Sequence, residues 1–287
     1  MAILSIQSHV TYGYAGNSAA VFPLQRMGHT VWAINTVEFS NHTGYGSWRG
    51  KALGAEMTAE LVRGLDERGV LKDCAAVLSG YMGDVPVGQA IMDTVRLVRL
   101  KAPGALYCCD PVMGDMGQGL YVKPGIPEVF KNEIITLADL LTPNQFELEV
   151  LTGMETGDIT GARKAIDLLH RRGPRVVLVT SYREGKPRTD PGGHIDMLVS
   201  SETGAYRIRT PELPFDTVMS GSGDLTAAVF LSRYLETGDA KDALELTTGS
   251  IYGIMEATFK ARSGELCIIA AQNELTSPSR SFAAVRL

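Results

Sequence analysis

The sequence predicts an α/β fold, a single domain with a mainly parallel central sheet covered by helices on both faces. Two observations carry this expectation. Short apolar runs alternate with stretches of helical period through most of the 287 residues, the mark of repeated βαβ units. The unusual polar residues also fall directly after those runs, at the strand ends where an open α/β sheet binds ligands.

The strands are expected at residues 3–6, 30–35, 75–79, 105–109, 140–142 and 175–180, each a short run rich in Ile, Val, Leu, Ala or Cys. Helices are expected between them at 18–27, 55–68, 87–101, 145–152 and 160–171. Residues 196–200 and 206–210 flank Ser201-Glu202-Thr203-Gly204 and read as a β-hairpin. The last third is mostly helical, at 223–235, 240–261 and 266–272. The stretch 183–193, rich in charge, Gly and Pro, reads as a surface loop. No repeat or interdomain linker divides the chain.

Composition narrows the partners. Hydrophobic residues make up 45% and charged residues 21%, and the formal net charge is -5. That balance argues against nucleic acid or an anionic membrane as the main partner. Any anionic ligand must be held locally by backbone donors, metal ions or a few basic side chains. No apolar run reaches the length of a membrane span, and the start Met1-Ala2-Ile3-Leu4-Ser5-Ile6 lacks the basic flank of a signal peptide. Cys74, Cys108, Cys109 and Cys267 form no C-x-x-C pair, which fits a reducing cytoplasm better than a disulfide framework or a zinc site.

Gly221-Ser222-Gly223-Asp224, followed by an apolar helical run, is the most specific chemical signal. The free N–H groups and dipole of a helix start hold an anion. A carboxylate beside them can take a proton from a hydroxyl while phosphate charge is held. The ordinary alternative is that Asp224 only caps the helix. Gln7-Ser8-His9, the segment from Phe39 to Gly46, Tyr81, Asp110-Pro111, the segment from Thr142 to Glu147 and Thr180-Ser181 lie on the same sheet edge. Each has an ordinary reading too: Ser8 and Thr43 as turn hydroxyls, His42 as a loop histidine, Tyr81 as an interior tyrosine, Thr142-Pro143 as a helix start with proline at its first position. Asp110, Asp115 and Glu147 offer the hard oxygens that Mg²⁺ takes beside a phosphate. The P-loop, the protein-kinase motifs and the dinucleotide fingerprint are all missing from the sequence.

In these segments the chain resembles the pyridoxal kinases of the ribokinase-like superfamily. The resemblance rests on Leu4-Ser5-Ile6-Gln7-Ser8-His9-Val10, Phe39-Ser40-Asn41-His42-Thr43-Gly44-Tyr45, Cys109-Asp110-Pro111-Val112-Met113-Gly114-Asp115, Leu141-Thr142-Pro143-Asn144-Gln145-Phe146-Glu147 and the Gly221–Asp224 turn. It implies a homodimer that phosphorylates the 5′-hydroxymethyl of pyridoxal, pyridoxine or pyridoxamine with ATP. Asp224 would be the base, on the Gly221-Ser222-Gly223 turn. Ser8, Thr43 and Tyr81 would hold the vitamin B6 vitamer. Asp110, Asn144, Glu147, Ser181, Ser222 and the stretch Phe215-Asp216-Thr217 would meet ATP. Asp115 would stand closest to Mg²⁺, and Thr142 and Thr180, with Asp110 and Glu147, would surround a monovalent cation, K⁺ or Na⁺.

Three positions depart from the family pattern. Ser222 replaces the usual threonine, Thr180-Ser181 replaces the lysine of many bacterial relatives, and the loop Met116-Gly117-Gln118-Gly119 is short. Two rivals stand beside this reading. One is a hydroxymethylpyrimidine kinase, a subfamily that typically carries cysteine at the position of Asp224. The other is a pyridoxal-phosphate carrier that has kept the pocket but not turnover.

Overall fold

The structure is a computed structural model that describes residues 1–185, 193–216 and 219–287. Its strands are β1 (Ala2–Val10), β2 (Thr30–Phe39), β3 (Gly50–Ala52), β4 (Cys74–Ser79), β5 (Leu106–Cys109), β6 (Gly114–Asp115), β7 (Gly119–Leu120), β8 (Leu140–Leu141), β9 (Val176–Tyr182), β10 (His194–Ser201), β11 (Gly204–Pro211) and β12 (Val285–Arg286). Its helices are α1 (Asn17–Arg26), α2 (Gly54–Glu67), α3 (Val85–Lys101), α4 (Ile126–Val129), α5 (Ile135–Leu137), α6 (Gln145–Thr152), α7 (Ile159–His170), α8 (Ser222–Thr237), α9 (Ala240–Ala261) and α10 (Asn273–Thr276).

Ten strands form one sheet in the order β12-β11-β10-β9-β8-β5-β4-β1-β2-β3. Every pairing from β9 across to β2 is parallel, whereas β3, β10, β11 and β12 pair antiparallel at the margins. Strand side chains alternate between two cores, as the pleat requires. Leu4, Val77, Tyr107, Cys109, Leu141 and Val177 point to the side packed by α2, α3, α6 and α7. Ile3, Leu78, Cys108, Leu140 and Leu178 point to the side packed by α1, α8 and α9. Burying one such side chain contributes about 1.5–3 kcal/mol, so a one-residue slip of register would forfeit both faces at once.

Helix starts follow their sequence signals. Asp84, Asp158 and Asp239 each cap a helix by accepting a backbone N–H three residues on. Asn144 and Glu147 form a reciprocal capping box on α6. Pro143 therefore stands just outside that helix, as the expected start at 145 implied, and the ordinary reading of it as the first helical residue falls away.

The structure adds the short strands β3, β6, β7 and β12, and a helical segment at 126–137 whose middle, Phe130–Ile134, is a π-helix. It also corrects the helix expected at 266–272, which runs as turns that lead into α10. Leu266 and Ile268 are plugged into the core beside α8, and the Cys267 N–H is taken by Thr258 Oγ1 at 2.9 Å. Backbone bonds made to α9 are not available to a new helix. Of the surface loop expected at 183–193, residues 186–192 lie outside the described residues.

Candidate active site

The first turn of α8 is shaped by Gly221, which has a left-handed φ of +79°. A Cβ there would come within 2.2 Å of the Tyr14 carbonyl oxygen, so the turn sits directly on the β1–α1 loop. The N–H groups of Ser222, Gly223 and Asp224 precede the first intrahelical bond, from Leu225 N–H to Gly221 C=O at 2.9 Å. Asp224 is thus the third residue of the helix and not its cap. Its carboxylate accepts the Gly16 N–H and its own N–H, and burial pushes its carboxyl above the usual range despite these bonds and the nearby His42.

Behind it lies a buried acidic pair. Asp110 accepts the Thr142 hydroxyl at 3.0 Å, and burial and the Asp224 charge hold its carboxyl well above the ordinary value. Glu147 is raised in the same direction, by burial and by Asp110. Its oxygens accept the N–H groups of Met113 and Asn144, both at 2.9 Å, while the Asn144 amide donates to the Gly114 carbonyl at 2.8 Å. Glu147 and Asn144 therefore bracket the β6–β7 hairpin that carries Asp115. Among the described residues no three His, Cys, Asp or Glu side chains gather closely enough to hold a metal ion alone. The donor set still fits Mg²⁺, which takes one or two carboxylates and fills the rest of its shell with phosphate oxygens and water.

Two groups of residues flank this centre. Toward β9–β11, a cavity of about 630 Å³ is lined by Asp115, Thr180, Ser181, Phe215, Ser222 and Gly223, with Met116 and Gly117 of the hairpin at its rim. Ser181 has a left-handed φ of 54° and sits in a bulge: the β9–β10 register steps from Tyr182–Asp196 to Val179–Leu198. The bulge turns Ser181 out of the ladder at the cavity wall. Thr180 is buried beside the end of β8, bonded to Pro143 through its N–H at 2.9 Å. Asp216 is exposed and does not line this cavity, and Thr217 lies outside the described residues.

Toward β1 and β2, a second bulge sets Thr36 and Val37 against Ser8 alone. Ser8 packs on Gly16, so it and Asp224 share that glycine as a neighbour. The Thr36 hydroxyl donates to the Tyr81 carbonyl at 2.7 Å, which brings half-buried Tyr81 to the same side. Thr43 is exposed in a 3₁₀ turn, and His42 before it carries that turn's contact with Ser220. His42 Nδ1 lies 3.2 Å from both the Gly44 N–H and the Ser220 hydroxyl. Burial depresses this imidazole, opposed by the charges of Asp224 and Glu265.

A family model described as phosphomethylpyrimidine kinase matches residues 50–268. The chain is 50% identical over 286 residues to the pyridoxal kinase PdxY of Granulibacter bethesdensis, covering 98% of each. It belongs to the pyridoxal kinases. It is also 51% identical over 282 residues to the pyridoxal kinase PdxY of Rubrobacter xylanophilus, covering 98% of this chain and 95% of that one. Among solved structures it resembles pyridoxal kinase from Leishmania donovani in complex with ADP and pyridoxamine, with a TM-score of 0.90, 33% identity and coverage of 100% and 99%. The fold is the ribokinase-like one that the sequence resemblance implied.

Beside the acidic centre of this pyridoxal kinase stands a side chain with no role in the sequence reading. Tyr121 closes the β6–β7 hairpin, its N–H bonded to the Met113 carbonyl at 3.0 Å. Burial and the charges of Glu147, Asp224, Asp110 and Asp115 hold its phenol far above the ordinary value. Its side chain is half exposed, and its phenol stays protonated at the edge of the acidic centre. Its only sequence signal is its place just after the glycine hairpin, which does not distinguish it from Leu120 or Val122.

Proposed function

We propose that this chain transfers the γ-phosphoryl group of ATP to the 5′-hydroxymethyl of pyridoxal, and of pyridoxine and pyridoxamine, as a step of vitamin B6 salvage. The observation that carries the mechanism is the Asp224 carboxylate on the first turn of α8, between a nucleotide-sized cavity and the Ser8 side. The relatives named for pyridoxal, one of them solved with ADP and pyridoxamine, support the substrates.

In this mechanism Ser8, Thr43 and Tyr81 grip the vitamer and present its alcohol to Asp224. The carboxylate takes the alcohol proton as the new P–O bond forms. The N–H groups of Ser222 and Gly223 meet the charge on the transferred phosphoryl, and Ser181 and Phe215 hold the nucleotide. Phosphoryl transfer needs this positioning and charge stabilisation more than covalent help. Asp115, with Asp110, would hold Mg²⁺, which supplies charge neutralisation across the phosphates. Thr142 and Thr180, on adjacent strand ends, would offer oxygens to K⁺ or Na⁺. Homodimeric assembly and a cytoplasmic setting, which suits the four free thiols, belong to the same reading.

The direct test is purified protein with ATP and Mg²⁺ against the three vitamers and hydroxymethylpyrimidine. Turnover confined to the pyrimidine would favour the description of the family model, and binding of pyridoxal phosphate without turnover would favour a carrier. Ser8→Ala and Thr43→Ala should each weaken vitamer affinity by roughly 0.5–1.5 kcal/mol and leave ATP affinity little changed. Titration of each ligand separately checks this, and a loss on the ATP side would exchange the two pockets.

The monovalent cation has its own test. The charges acting most on Asp110 and Glu147 are other carboxylates, so bound cations must offset ATP and these groups together. Replacing K⁺ and Na⁺ by tetramethylammonium at equal ionic strength, with Mg²⁺ and ATP fixed, should reduce turnover. An unchanged rate removes the cation from the mechanism.

A further inference from the structure

We infer that Glu265 is a positioning residue that latches the vitamer-side loop to the phosphate-holding turn. This rests on the kinase reading above for its functional meaning. Glu265 belongs to none of the segments that carry the family resemblance, and it follows α9 in a stretch without helix.

Its backbone is pinned on both sides. The Ser263 hydroxyl donates to the Glu265 carbonyl at 2.6 Å and accepts the Glu265 N–H at 3.1 Å. The next residue, Leu266, is buried in the core that α8 shares with α1. The post is therefore fixed to the same packing that fixes the helix bearing Asp224.

Its carboxylate gathers two loops. Oε1 accepts the Tyr45 hydroxyl at 2.5 Å, and Oε2 accepts the Tyr14 N–H at 3.3 Å. A Cβ on Gly13 would lie 2.5 Å from Oε2, so that position must be glycine for the carboxylate to reach the loop. Burial, and after it the acceptor bond and the Glu265 charge, push the Tyr45 phenol up to about 12, which keeps it a donor. Tyr45 meets the His42 ring edge-on at 5.9 Å, and His42 reaches Ser220, the residue before Gly221. Thr43 lies between His42 and Tyr45. One carboxylate thus sets the place of the vitamer loop against the turn that receives the phosphoryl group.

The experiment compares Tyr45→Phe, Glu265→Ala, their double variant and Glu265→Gln, which keeps an acceptor for the phenol. Tyr45→Phe should raise the KM for pyridoxal about tenfold, the loss expected for a hydrogen bond to a charged acceptor, while the KM for ATP changes by less than about twofold. Glu265→Ala should show the same split, the double variant should be no worse than the worse single one, and Glu265→Gln should recover most of the loss. Hydrogen exchange at residues 41–48, measured without substrate, should be about tenfold faster in Tyr45→Phe. That measurement tests the latch even if the wild-type protein turns over no pyridoxal, an outcome that would count against the kinase reading alone. Unchanged exchange at 41–48, equal losses for both substrates, or additive losses in the double variant would overturn the latch. Should Glu265→Ala fail to fold, Tyr45→Phe and Glu265→Gln carry the same comparison.

Discussion

Asp224→Asn is expected to keep the fold and both ligand affinities while turnover falls by about 10²–10⁴, the usual span for losing a general base. The amide is nearly isosteric and can still accept the Gly16 N–H, so the first turn of α8 should hold its shape. What disappears is the proton acceptor. The pH profile gives a second check. Burial raises the Asp224 carboxyl, so the protonated, inactive form persists to higher pH than for an exposed aspartate. Wild-type turnover should rise with pH as this group loses its proton, and the variant should lack that limb. Steady-state rates with either substrate varied decide the matter, and near-normal turnover in Asp224→Asn would remove the base assignment.

Gly221→Ala should be almost as damaging, for a different reason. The position combines a left-handed backbone with a Cβ site 2.2 Å from the Tyr14 carbonyl oxygen, which is backbone and cannot swing aside. Relief requires the turn and the β1–α1 loop to part. A shift of this kind misplaces the N–H groups that meet the phosphoryl charge and is expected to lower turnover by about 10²-fold. The strain should also cost about 1–3 kcal/mol of stability. Turnover and the unfolding midpoint, measured on the same preparation, test both parts, and wild-type values for both would show that the turn does not depend on this glycine.

The sequence made the framework readable because period and position both survive folding. Strands at 3–6 and 175–180 and the helix at 240–261 announce themselves by apolar spacing, and all six predicted strands of the first part enter the parallel array. The polar strand ends were readable for the same reason, since strand direction alone puts Ser8, Asp110, Thr142 and Thr180 on one edge. Short strands such as β3 and β12 were not readable, because two or three residues carry no period and exist only through their partner. The segment 266–272 misled because its apolar residues serve the core of α8, while its backbone bonds to α9. The bulges opposite Ser8 and at Ser181 depend on pairing register, which a single strand does not specify. Glu265 was hidden for a related reason: it acts through contacts with distant parts of the chain.

The bond from the Gly16 N–H to Asp224 also bears on how the enzyme comes into being. It joins the β1–α1 loop to a helix that begins more than two hundred residues later, and β1 itself lies between β2 and β4. The β10–β11 hairpin, by contrast, closes across Glu202 and Thr203, so its two strands meet at short separation. Local hairpins and helices form in microseconds, whereas contacts of long separation must first overcome the entropy of closing the loop between them. Docking of α8 belongs to the second kind. The proton acceptor is therefore set in place by a contact of long separation and not by the local structure around it.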